Sequence, residues 1–379
     1  MNRINFGVIG LDGRGIIGLF AHSPEKGRHL VAGSTLHPDR VTDTLKAYQC
    51  EHVAVSKDPY DVLRRDDIQA VFICTPDFLH EEHALAAIEH GKAVYLEKPM
   101  AISVEGCDRI IAAAKAKGVK VYVGHNMRFF PVIRKMKELV DSGRIGQLQA
   151  IWCRHFVGIG GDAYFRDWHS TRKNTHGLLL QKGAHDIDVI HWLANGYTKR
   201  VVGMGKLSVY DKLPRRSPDE PQPRIKIDRN NWPPTRMSGF SPEIDVEDHN
   251  MILMQLSNGV QASYTQCHYT PDNHRNYTLI GTEGRIENYG CVSHPDNWAT
   301  VHLWNRRTGY SELGHEVYRI PDMEGGHGGA DPLVLEDFFQ YLQTGTACGA
   351  TTQDARMAIA TAYFGTESIR NGNIPYDIC

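Results

Sequence analysis

The run Ile4-Asn5-Phe6-Gly7-Val8-Ile9 passes directly into Gly10-Leu11-Asp12-Gly13-Arg14-Gly15, and then into Ile16, Ile17, Leu19 and Phe20. The first six residues read as a buried strand and the last four recur at helical spacing. Strand, glycine-rich turn and helix is the context a dinucleotide fingerprint requires, because free N–H groups and positive partial charge at a helix start suit a diphosphate. Gly10, Asp12, Gly13, Arg14 and Gly15 are therefore candidate cofactor contacts. One residue departs from G-x-G-x-x-G: Asp12 replaces the middle glycine, which normally lets backbone approach the phosphates, and its carboxylate repels them. Gly13 and Gly15 preserve the approach if Asp12 turns to solvent. A plain glycine turn explains the same residues.

Working outward, a second strand at about 29–36 ends in Ser34-Thr35-Leu36-His37-Pro38-Asp39-Arg40. NAD-preferring folds place Asp or Glu here for the ribose 2′-hydroxyl. Ser34 and Thr35 stand there instead, with Arg40 beyond, a pattern that suits a 2′-phosphate and so admits NADP as well as NAD. Further short strands fall near 53–55, at 70–74 ending in Thr75-Pro76-Asp77, at 93–96 and at 119–124. Helices lie between them, including about 80–90 and 103–117. This alternation argues for a doubly wound parallel sheet.

The strand Ala93-Val94-Tyr95-Leu96 stops abruptly at Glu97-Lys98-Pro99. Ligands bind at the C-terminal ends of strands in open α/β sheets, so a carboxylate and an amine are presented where chemistry is expected. A Lys-Pro bond can also adopt the cis form of a tight turn. A solvated surface turn reads the stretch equally well.

The chain has 379 residues, 23% of them charged, with a formal net charge of −2. Its length accommodates two domains, and its balance points to neither nucleic acid nor an anionic membrane surface. The first residues lack the apolar core of a signal peptide, and no apolar stretch is long enough to span a bilayer. Eight scattered cysteines without a Cys-x-x-Cys pair suit reduced thiols in the cytoplasm. Among twenty histidines, His176, His185 and His191 show no diagnostic metal-ligand spacing, so no metal is expected.

After residue 125 the pattern changes. Helices at about 131–142 and 184–194 accompany strands at 148–157, where Leu148, Ala150 and Trp152 alternate, and at 201–209, 247–257, 260–268, 276–281 and 299–304. That is the signature of a mixed or antiparallel sheet open on one face. Residues 212–243 read as a long insertion or lid, and helices near 332–344 and 352–371 close the chain. In Gln181-Lys182-Gly183-Ala184-His185-Asp186-Ile187-Asp188, helical spacing puts Gln181, His185 and Asp188 along one face. An imidazole there suits general acid/base work, although a polar helix start with a satisfied cap partner fits too.

Together these motifs resemble the glucose–fructose oxidoreductase/inositol dehydrogenase (Gfo/Idh/MocA) family over nearly the whole chain. The matches are Gly7-Val8-Ile9-Gly10, Thr75-Pro76 with His80, Glu97-Lys98-Pro99, Gly124-His125-Asn126-Met127-Arg128, Gly183-x-His185-x-x-Asp188, Asp245-Val246-Glu247-Asp248 and Gly281-Thr282-Glu283-Gly284. The resemblance implies a Rossmann domain, placed here at 1–125, and a C-terminal α/β domain at 126–379 with an open, mostly antiparallel sheet. The last helices are expected to pack back on the first domain. It implies Lys98 and His185 as catalytic residues, with Thr75, Pro76, His80, Glu97, Lys98 and Asn126 at the cofactor. Substrates of the family are commonly sugars, polyols and their derivatives; candidate contacts are Gln181, Lys182, Arg128, Tyr164, Trp168, Asp188 and His268. Many members carry aspartate four residues before the histidine. Gln181 stands there instead, and an amide cannot carry a proton onward.

The expected activity is NAD(P)-dependent hydride transfer at a carbinol carbon, in a homo-oligomer (dimer or tetramer) packed through the open sheet face. Two alternatives use the departures from the family pattern, the first Gln181 with Lys182 and the second Asp12 with Gln181. One is a redox glycosidase that oxidises, eliminates and re-reduces with no net NADH; the other is a cofactor-binding sensor without catalysis.

Overall fold

The computed structural model describes residues 3–223, 225–228, 230–293, 298–321 and 323–379. Arg224 and Arg229 of the expected insertion lie outside them. The chain divides into two compact units, Met1–Asn126 with Asp331–Arg356, and Met127–Ala330 with Met357–Cys379.

In the first unit, β1 (Ile4–Ile9), β2 (Arg28–Ser34), β3 (Ala54–Ser56), β4 (Ala70–Ile73), β5 (Ala93–Leu96) and β6 (Val121–Val123) form one parallel sheet in the order β3-β2-β1-β4-β5-β6. Parallel strands covered on both faces read as continuous apolar runs. Accordingly β4 is buried throughout and β5 along all but its first residue. The strand order reverses between β1 and β4, the crevice where doubly wound sheets take ligands. Helix Ala330–Thr344 supplies Phe338 and Phe339, whose rings pack on Phe6, Phe72, Tyr95 and Tyr122. Asp337 of the same helix accepts the buried Tyr122 hydroxyl at 2.8 Å.

The second unit is built on a nine-stranded sheet. Its strands are β7 (Leu148–Val157), β8 (Thr198–Lys206), β9 (His249–Leu256), β10 (Gln261–Cys267), β11 (Asn273–Gly281), β12 (Arg285–Tyr289), β13 (Thr300–Trp304), β14 (Glu316–Arg319) and β15 (Tyr376–Asp377), in the order β14-β13-β12-β11-β7-β10-β9-β8-β15. Among the described residues only β7 and β10 pair in parallel. Helix Ala184–Ala194 is buried on nearly every side. In β7 the inward residues are Ile151, Cys153, His155 and Val157; the apolar even positions face the other way, and Trp152 is half exposed. Met204, Met251 and Leu253 are likewise exposed. Met251 pairs with Met204, and Leu253 lies across Ser263 from Trp152, so one sheet face carries an apolar stripe.

The 212–243 segment holds little regular structure beyond a turn at Pro234–Arg236. Phe240 and the preceding Tyr210 pack with Phe165, Met237 and Val246 in a small core of their own. Asp248 holds the start of the segment by accepting the backbone N–H groups of Ser208, Val209 and Tyr210.

Candidate active site

In the first unit the glycine-rich turn leaves β1 with Gly10 at φ +87°, a conformation glycine adopts without penalty. A side chain at Gly10 would meet the Cys74 and Thr75 backbone at 2.8 Å, and one at Gly15 would meet the Gly10 carbonyl at 2.2 Å. Gly13, at φ +61°, has nothing within 4 Å of where its Cβ would stand. The turn is thus packed hard onto the end of β4 below and open above Gly13, the cradle a dinucleotide needs. The N–H groups of Gly10 and Leu11 both bond the Ser34 carbonyl, at 3.0 and 2.9 Å, which brings the end of β2 alongside. Asp12 is turned outward, as its chemistry requires. Its carboxylate accepts the Gly13 N–H at 2.8 Å and faces Arg40 at 3.9 Å. Ser34 and Thr35 are buried, and the Thr35 hydroxyl accepts the His37 N–H at 3.2 Å.

The ends of β4 and β5 are joined through His80. Its ring nitrogens lie 2.8 Å from the Thr75 carbonyl and 2.6 Å from the Pro99 carbonyl. Burial lowers the pKa of this imidazole, while the two carbonyls and Glu97 act in the opposite direction. The Lys98–Pro99 peptide bond is cis. Glu97 is buried beside a half-buried Lys98. Arg14 reaches from the glycine-rich turn to Glu97 and to Asp331, and Asp331 also accepts from Asn126 at 3.3 Å. Gly10, Arg14, Ser34, Thr75, His80, Glu97, Lys98 and Asn126 therefore gather at the C-terminal edge of one sheet. Asp331 belongs with them and was not expected; it lies 317 residues from Arg14, and no local pattern announces the contact.

In the second unit, Gln181 and Lys182 lie on a π-helical turn, Leu179–Gly183, that runs into the helix bearing His185. Such turns often interrupt helices at functional sites. Lys182 Nζ lies 5.0 Å from the Tyr164 ring centre, and Tyr164 meets the His268 ring edge-on at 5.4 Å. Trp168 stacks on His169 at 3.7 Å. His268 is fully buried, and among the described residues neither ring nitrogen has a hydrogen-bond partner; burial first, then His155 and Lys182, push its pKa well below the ordinary value. Arg128 and Asp188 are bound to each other, Nε to Oδ2 and Nη2 to Oδ1.

Behind the π-helical turn lies a charged network the sequence reading missed. Asp186, fully buried, forms an ion pair with Arg275 (Nε at 2.8 Å), accepts from Arg275 Nη2 at 3.3 Å, stands 3.2 Å from His155 Nδ1 and accepts the Tyr277 hydroxyl. His155 Nδ1 also lies 3.0 Å from the Tyr264 hydroxyl. Burial opposes the charge on Asp186, and Arg275 and His155 overcome it, holding this carboxyl well below its usual range. A carboxylate in a helix that is apolar on nearly every side was the available signal, since buried charges are found paired.

Among the described residues no group of three or more His, Cys, Asp or Glu side chains is arranged to hold a metal ion. Nor is any helix long and apolar enough to cross a membrane.

A Rossmann sheet with this cradle, followed by an α/β unit on an open mixed sheet, defines a dinucleotide-dependent oxidoreductase architecture. Residues 4–125 match the oxidoreductase family's NAD-binding Rossmann fold and residues 137–378 its C-terminal alpha/beta domain, so the chain belongs to the Gfo/Idh/MocA oxidoreductase family. It is similar to YteT of Bacillus subtilis (strain 168), 27% identical over 324 residues and 75% of each chain. Inositol 2-dehydrogenase of Burkholderia cenocepacia is 33% identical over 168 residues, 44% of this chain and 47% of that one. The chain therefore matches about half the length of that relative. Levoglucosan dehydrogenase, solved with NADH and levoglucosan, superposes over 100% of both chains with a TM-score of 0.80 at 18% identity, a likeness of fold.

Proposed function

We propose that the protein transfers hydride between a nicotinamide cofactor and a carbinol carbon of a sugar, polyol or glycoside, with Lys98 and His185 as catalytic residues. The position of Lys98 carries this reading: it follows the C-terminal end of β5, among the strand ends where open α/β sheets bind their ligands. The nicotinamide, when bound, accepts or returns the hydride. His185 takes the hydroxyl proton during oxidation and returns it in reduction, and the Lys98 ammonium stabilises developing alkoxide charge. The Gly10–Gly15 turn holds the dinucleotide, while Ser34, Thr35 and Arg40 take the adenosine ribose, in a setting that accepts NADP as well as NAD. Lys182, Tyr164, Trp168 and His268 contribute to substrate binding. A buried imidazole without a protein partner is the kind of group a substrate hydroxyl satisfies. Inositol and levoglucosan dehydrogenases among the similar proteins support a polyhydroxylated substrate.

The test is absorbance at 340 nm with NAD⁺ and NADP⁺ against sugars, polyols and glycosides. Lys98→Met should abolish turnover and leave NADH binding intact; near-normal turnover in that variant sinks the assignment.

Gln181 favours a second reading. It is buried where many family members carry an aspartate, and its amide cannot relay a proton, which suits transient oxidation followed by elimination and re-reduction. A relative 30% identical over 183 residues is a 2,7-anhydro-N-acetylneuraminate hydratase. Release of aglycone or an elimination product without accumulating NADH identifies this chemistry. Cofactor binding with no turnover of either kind identifies the sensor. The apolar stripe at Trp152, Met204, Met251 and Leu253 supports a homo-oligomer, read by sedimentation.

A further inference from the structure

Arg14 occupies an unusual place for a residue of a cofactor-binding turn. Its guanidinium points into the protein, where three of its nitrogens are taken by two carboxylates. Nε donates to Glu97 Oε1 at 2.8 Å, Nη1 to Asp331 Oδ2 at 2.8 Å and Nη2 to Asp331 Oδ1 at 2.9 Å. The Glu97 and Asp331 side chains are only 8% and 1% exposed. One cation thus ties together the turn after β1, the end of β5 and the first turn of helix Ala330–Thr344.

The charge balance is as informative as the geometry. Three side chains, one cationic and two anionic, leave a net charge of −1 beside the turn that must accept a doubly negative diphosphate. Without the arginine the two carboxylates carry −2, in a setting where water screens poorly and like charges repel strongly. We propose that Arg14 is a positioning residue for the dinucleotide, acting through Glu97 and Asp331: it seats the Gly13-Arg14-Gly15 turn and offsets one of the two buried negative charges that would otherwise repel the cofactor. This inference rests on the dinucleotide reading of the Rossmann unit and assigns Arg14 a role without direct phosphate contact.

Burial opposes the charge on Arg14, and Glu97 and Asp331 outweigh it, so the guanidinium stays charged at any working pH. Besides the neighbouring Lys98 ammonium, Cys74, Tyr95 and His80 act electrostatically on Glu97. Burial raises the Cys74 thiol and the Tyr95 phenol well above their ordinary values and lowers His80.

The experiment is calorimetric titration of NADH and NADPH into the full chain at both pH values, on wild type, Arg14→Met, Arg14→Lys and the Arg14→Met/Asp331→Asn double variant. Wild-type affinity should be nearly independent of pH. Arg14→Met should bind about 30-fold more weakly at pH 8.5, an order of magnitude set by one lost charge pairing. It should regain most of that affinity at pH 6.5, where an unpaired buried carboxylate takes up a proton. The double variant should recover affinity at pH 8.5. Arg14→Lys keeps the charge without the fork and should lose little, with no pH dependence; it and the double variant carry the test if Arg14→Met does not fold. A role as a mere strut predicts equal weakening at both pH values and no recovery in the double variant, and that result overturns the proposal. So does unchanged affinity in Arg14→Met. Failure of the wild type to bind either dinucleotide overturns the cofactor reading and this inference with it.

Discussion

Arg128 and Asp188 hold each other in a buried two-pronged ion pair, Nε to Oδ2 at 2.8 Å and Nη2 to Oδ1 at 2.6 Å, with side chains 6% and 1% exposed. Asp188 lies one turn beyond His185 on helix Ala184–Ala194, so the pair fixes the rotation of the face that carries the histidine. Removing one partner strands a buried charge. Arg128→Met and Asp188→Asn should each lose about 3–5 kcal/mol of unfolding free energy. The Arg128→Met/Asp188→Leu double variant should recover much of the loss. Urea unfolding measures all three, and a single variant with the wild-type midpoint contradicts the assignment.

Gly10 and Gly13 both have positive φ but stand in different surroundings. Gly10→Ala drives a methyl into the Cys74–Thr75 backbone, so it should lower the melting temperature by several degrees and abolish cofactor binding. Gly13→Ala meets no protein atom; its strain costs only about 1 kcal/mol, while NADH affinity should fall at least tenfold. Equal effects of the two changes on stability would contradict the cradle described above.

Gln181→Asp restores the carboxylate that many family members carry. An anion on the π-helical turn favours the protonated form of a nearby imidazole. A base that holds its proton more tightly is available only at higher pH, so the acid limb of the oxidation rate should move upward by about one pH unit. Unchanged pH–rate profiles in wild type and variant remove Gln181 from the proton path.

His155 and His176 are each held at about 4, by burial first and then by Arg275 and Arg370 respectively. An unfolded imidazole titrates near 6.5. Between about pH 6.5 and 4 the unfolded chain therefore binds protons at these two positions that the native protein does not, and buried His268 and His80, also lowered, act in the same direction. Stability is complete above this window and falls within it on acidification, by about 1.4 kcal/mol per pH unit for each imidazole. His176 has φ +61°, which asparagine tolerates. His176→Asn should accordingly keep the fold and reduce the slope of unfolding free energy against pH between 5 and 6.5 by up to about 1.4 kcal/mol per pH unit. An unchanged slope assigns the effect elsewhere.

The first sheet was legible because buried parallel strands are written as unbroken apolar runs; Ala70–Ile73 and Ala93–Leu96 are of that kind. Strands β12, β14 and β15 escaped notice for the opposite reason. Arg285–Tyr289 mixes charge into its alternation, Glu316–Arg319 is only partly buried along its length, and Tyr376–Asp377 is two residues long. In β7 the apolar alternation at Leu148, Ala150 and Trp152 marks the open face, because the inward positions include His155 and Cys153. The individual residues of the candidate site were visible one by one, but their pairings were not. Arg14 with Asp331 and Arg128 with Asp188 join positions 317 and 60 residues apart, and spacing encodes no contact at that range. The Asp186 pairing was missed as well, although a carboxylate among Ala184, Ile187, Val189 and Ile190 demands a cation; Arg275 is that cation.

Helix Ala330–Thr344, which lays Phe338 and Phe339 over Phe72 and Tyr95, imposes an order on synthesis. When residue 126 leaves the ribosome all six strands of the first sheet exist, yet the aromatic cover for one face has not been translated. The whole of 127–330 must be made first. At ordinary elongation rates that takes about 10–40 s, during which the bare face is open to a holding chaperone. The dinucleotide unit, first in sequence, is thus among the last parts of the molecule to close.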